Sequence, residues 1–112
     1  MAHYARALTG DVDRFVAHLD RAVPGSSITA QAEAAVDQSI GDARMAVRVY
    51  ERYSAFGGNR VSLSVSVLAV GTEMRVSAVT SGGSSAMFWK VNTWGEETFL
   101  EKAVAAIESF AG

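Results

Sequence analysis

The chain has no cysteine, one proline and two histidines in 112 residues. Without thiols it has no disulfide staple, no thiolate nucleophile and no cysteine zinc site. His3 and His18 are too few and too far apart in sequence to suggest a zinc site on their own. No apolar run reaches the roughly 18 residues that span a bilayer, which argues against a membrane segment. A basic excess is missing too. Lys and Arg number 10 against 12 Asp and Glu, a net charge of −2, whereas a general nucleic-acid binder usually carries cations to replace counterions. Arg6, Asp11, Asp13 and Arg14 break up the N-terminal stretch, so no signal peptide is visible and a cytoplasmic location is the expectation. Nothing in the composition implies a cofactor.

What is present is ordinary for a globular protein: 49% apolar and 20% charged residues. That suffices for one hydrophobic core, and the length fits a single domain over residues 1–112. The clearest signal lies between Arg60 and Ala69, where Val61, Leu63, Val65 and Val67 alternate with Ser62, Ser64 and Ser66. A period of two marks a strand with one buried and one polar face.

Around it the other elements follow. His3 to Leu8 predicts a short strand. Val12, Phe15, Val16, Leu19 and Val23 recur at helical spacing, with Asp11 and Asp13 at the helix start and Pro24-Gly25 at its end. Ile28 to Val36 predicts a strand whose Ala30, Ala32, Ala34 and Val36 share a face. Arg44 to Ser54 predicts another, with Met45, Val47, Val49 and Tyr53 inward and Arg44, Arg48 and Arg52 outward. Gly57-Gly58-Asn59 and Gly71-Thr72 read as turns on either side of the serine strand, and Met74 to Thr80 as the strand after it. Ala86 to Val91 is apolar and aromatic enough for a further strand. Thr93-Trp94-Gly95-Glu96 has the form of a capping box opening a final helix through Phe110.

The predicted class is α+β, a two-layer antiparallel sheet in the order β-α-β(4-5)-α with the C-terminal helix packed on it. That order resembles the helix-grip, or TBP-like, folds, some of which hold apolar ligands between sheet and helix. More specifically, Val49-Tyr50-Glu51-Arg52-Tyr53-Ser54, Gly57-Gly58-Asn59-Arg60, Thr80-Ser81-Gly82-Gly83-Ser84 and Lys90-Val91-Asn92-Thr93-Trp94-Gly95-Glu96-Glu97 are similar to a family of short bacterial proteins known only as a domain of unknown function. The likeness covers most of the chain and is strongest from Val49 to Leu100. It implies no catalytic residue, cofactor or substrate.

Two functional readings follow from the residues. Glu51 shares the parity of Met45, Val47 and Val49, which predicts a carboxylate on the core side. A buried acid needs a partner. The functional reading places it, with Tyr53 and Trp94, at the rim of a pocket for an apolar or amphipathic small molecule between sheet and C-terminal helix. The plainer reading pairs it with an arginine such as Arg60 at the strand end. The second functional reading is an interaction module, in which Arg48, Ser62, Ser64 and Ser66 on the outer sheet face form a homodimer or dock a protein partner. There the plainer reading is a solvated face with arginines paired to Glu33 and Asp37. Repulsion between facing arginines is the objection to that dimer. An enzyme ranks last, because no nucleophile–base pair, paired carboxylates or metal set can be assembled. Gly82-Gly83-Ser84-Ser85 lacks the spacing of a phosphate loop and reads as a bulge or turn.

Overall fold

A computed structural model describes residues 2–26, 29–53, 60–82 and 89–110, with the backbone alone for 89–96. Eight residues, Ala2–Thr9, form strand β1. Helix α1, Val12–Ala22, is capped by Asp11, whose side chain accepts from the backbone N–H groups of Asp13 and Arg14. A 3-10 turn over Pro24–Ser26 ends that segment. Four strands follow, β2 (Gln31–Ile40), β3 (Ala43–Tyr53), β4 (Arg60–Val70) and β5 (Glu73–Gly82), then helix α2 (Trp89–Glu108). The strands form one antiparallel sheet in the order β1-β5-β4-β3-β2. The fold is α+β, as the sequence predicts.

Two-residue turns join β2 to β3 and β4 to β5. Gly41 and Gly71 open them at φ 56 and 60, the left-handed region in which glycine carries no Cβ penalty. Both helices cover one face of the sheet. Phe15, Leu19 and Val23 of the α1 segment and Phe99, Ala103 and Ile107 of α2 meet Leu63, Val65, Val76 and Ala78 in a single core. The alternation of β4 is therefore realised: Val61, Leu63, Val65 and Val67 are buried under the helices and Ser62, Ser64 and Ser66 face away.

Three expectations are corrected. The first concerns β3, where Ala46 and Tyr50 are the buried residues, so the arginine parity faces the helices and the Met45, Val47, Val49 set faces away. Register fixes this, because Arg48 stands opposite Val65 and Val47 opposite Ser66. The second concerns β2, which starts three residues and ends four residues later than expected and carries an irregularity between Ala32 and Ala34. That bulge separates Ala32, opposite the buried Tyr50, from Ala34 and Val36 on the outer side. The third concerns α2, which starts at Trp89. Thr93 thus lies inside the helix rather than at its start, and Trp89 to Val91 is helical where a strand was expected. Gly83 to Phe88 and the Gly57-Gly58-Asn59 turn lie outside the described residues.

Candidate functional site

The helix-facing side of β3 is closed by charge pairs. Arg44 reaches Asp13 of α1 at 2.7 Å. Arg48, with 12% of its side chain exposed, donates to both oxygens of Asp37 at 3.1 and 3.3 Å and from Nε to Asp20 at 3.4 Å. The Tyr50 hydroxyl donates to the other Asp20 oxygen at 2.7 Å. Burial first, then the hydrogen bond and charge of Asp20, push the Tyr50 phenol far above its ordinary range, with Arg48 opposing. Arg52 lies with its guanidinium 5.0 Å from the Phe99 ring centre, and desolvation lowers its pKa. His18 donates from Nε2 to the Ala106 carbonyl at 2.7 Å, tying α1 to the end of α2. These contacts hold the helices on the sheet. Each polar group is already engaged by the protein itself.

The other face of the sheet is different. Among the described residues no helix covers it, and register arranges its side chains in rows. Across the middle run Val36, Val47, Ser66, Ser77 and Ala5, and one row on run Ala34, Val49, Ser64, Val79 and His3. Nearer the glycine turns lie Gln38, Met45, Leu68, Arg75 and Ala7. Every exposed large apolar side chain among the described residues is on this face: Val36, Ile40, Met45, Tyr53, Leu68, Val70 and Val79. Ile40 is 86% exposed and Leu68 54%. At the corner made by the β2–β3 turn, Gln38, Ile40, Met45 and Leu68 line a shallow open groove of about 220 Å³. Among the described residues no group of three or more His, Asp or Glu side chains could hold a metal ion.

The expected site residues are dispersed. Glu51 and Tyr53 stand on this outer face, away from α2, since alternation sets them opposite to Tyr50 and Arg52. The expectation that Glu51 points into the core is thus corrected. Its carboxylate is 16% exposed and pairs with Arg60, as the plainer reading had it, and Oε1, shielded from water, meets that guanidinium without hydrogen-bond geometry. Arg60 also lies 5.7 Å from the Tyr53 ring centre. Trp94 lies in α2, with its side chain outside the described set. Ser62, Ser64 and Ser66 are on the outer face as expected, but Arg48 is on the helix side and cannot join them there.

The apolar residues around those serines are what parity reasoning missed. Asp13 and Asp20 were a usable signal. Seven helical residues advance about 10 Å, and the four strand residues from Arg44 to Arg48 advance about 13 Å. Two acids on one helix face therefore match two arginines on one strand face.

Residues 1–111 match the model of a family of unknown function (DUF6054). No curated protein and no solved structure matches the chain.

Proposed function

We propose, for a chain that belongs to the family of unknown function DUF6054, that it works as a protein-interaction module through the outer face of its sheet. One observation carries this reading: among the described residues, all seven exposed large apolar side chains share that face. Single exposed apolar residues are normal on any protein, but a contiguous apolar sheet surface is the usual mark of a docking site. A pocket rimmed by Glu51, Tyr53 and Trp94 is the weaker reading, because the first two are turned from α2 and Glu51 is already paired with Arg60.

Static light scattering over a concentration series tests the proposal, since it reads both mass and weak attraction. Val36→Lys combined with Leu68→Glu keeps the net charge and charges the outer face. The control exchanges charges on the exposed side of α2, Glu101→Lys with Lys102→Glu. The expected result is that the outer-face variant loses association or attraction and the control keeps it. Identical behaviour of wild type and both variants would overturn the reading.

A further inference from the structure

We infer that the occupant of the outer face is a second copy of this chain, packed sheet to sheet with the helices outermost on both sides. This rests on the docking reading above and names its partner.

The first argument is area. Five strands spaced about 4.8 Å apart, each of about ten residues rising about 3.3 Å, give a face of roughly 24 by 33 Å, or about 800 Å². Two such faces together bury about 1,600 Å², the size of a stable specific interface. No larger partner is needed to account for the patch.

The second argument is chemical self-complementarity. In a two-fold dimer the same patch serves both sides, so each group must accept its own kind as a neighbour. A hydroxyl both donates and accepts, and an alkyl group is indifferent to the sign of its partner. The two central rows hold only such groups, apart from His3 at their β1 end. Ser64, Ser66 and Ser77 sit between Val36, Val47 and Val79.

Charge, which repels its own copy, is kept to the margins. Glu51 is paired with Arg60 at one end, Glu73 lies by the β4–β5 turn at the other with Arg75 between it and the central rows, and Glu33 lies on the edge strand beside Gln31. The arginines that would have repelled one another, Arg44 and Arg48, are on the far side of the sheet and bound to aspartates.

The third argument is shape. Serines and alanines in the middle let two sheets approach to the roughly 10 Å of stacked sheets. Val36, Met45, Leu68 and Val79 around them stand tall enough to interdigitate.

Sedimentation equilibrium at roughly 10 to 100 μM, above the micromolar weak end of the Kd range that interfaces of this size span, is the test. The expected mass is twice 11.8 kDa. Ser64→Arg sets a charge at the centre and should weaken the dimer at least about 100-fold with an unchanged circular dichroism spectrum. Ser64→Ala keeps the face self-complementary and should remain dimeric. Ser77→Arg, one row away on β5, repeats the test independently of β4. A wild-type monomer, or a dimer indifferent to both arginines as one joined through the β2 edge would be, overturns the inference. If the wild type is monomeric while light scattering still shows attraction lost in the Val36/Leu68 variant, the docking face stands, copies meet through it only in passing, and the stable sheet-to-sheet dimer is wrong.

Discussion

Tyr50 is the largest fully buried side chain among the described residues, so its hydroxyl must find a partner inside the protein. Asp20 is that partner. Removing the acceptor differs from removing both groups. Asp20→Ala leaves a buried hydroxyl unsatisfied and should cost about 1–3 kcal/mol, whereas Tyr50→Phe should cost only about 0.5–1.5 kcal/mol. Urea midpoints of the two variants give the order. The same contact sets a pH dependence. Burial, then Asp20, raises the folded-state pKa of Tyr50 above its unfolded value near 10. The unfolded chain therefore releases a proton above about pH 10 that the native state retains, and stability falls as pH rises past that point. Below it the contribution is fully present. Urea unfolding between about pH 9 and 11 should show this decline steeper in wild type than in Tyr50→Phe, since Tyr4 and Tyr53 are common to both. Equal slopes would mean that Tyr50 ionises in the folded protein as it does in the unfolded one.

At the scale of elements, β4 separates a buried face from a polar one. Val65, fully buried, stands between Arg48 and Ala78, and Val65→Asp would place an unpaired carboxylate there. Losing several kcal/mol from a total of about 5–15 should leave the chain unfolded by circular dichroism. Ser64→Asp, one residue away on the outer face, should fold. The β4–β5 turn gives a milder test. A Cβ at Gly71 would touch nothing within 4 Å, so Gly71→Ala meets only the strain of its positive φ, about 1 kcal/mol in a urea titration. Much of this architecture was legible in advance, because the β4 alternation and the α1 stripe each have one dominant period. Which face of β3 met the helices was not. Alternation sorts residues into two sets without naming the buried one, and the valine set looked like core. Arginine reversed it: its aliphatic arm lies along the sheet while its head reaches Asp13, Asp20 or Asp37. The outer-face serines were legible for the same reason that the apolar residues beside them were not. Polar residues on a strand advertise exposure, whereas Met45, Val47 and Val49 read as interior until register sets them on the face that no described helix covers. The bulge in β2 hid Val36 and Ala34 in the same way, by shifting the parity within one strand.

For the whole molecule the consequence is that stability and association are linked. Among the described residues the helices close one side of the sheet and leave the other, with its seven exposed large apolar side chains, uncovered. A second copy that binds only the native state stabilises it by mass action, so a face-to-face dimer should melt at a temperature that rises with protein concentration. When folded dimer converts to two unfolded chains, a tenfold increase in concentration adds about 1.4 kcal/mol per dimer, or about 0.7 per chain. With an unfolding entropy of about 2.1 cal/mol/K per residue, that is a rise of about 3 °C for each tenfold step. Calorimetry on the wild type over two decades of concentration should show that slope, while Ser64→Arg should melt at one temperature throughout. A flat wild-type series would mean that the folded monomer carries its stability alone. The outer face would then have no part in holding this fold together.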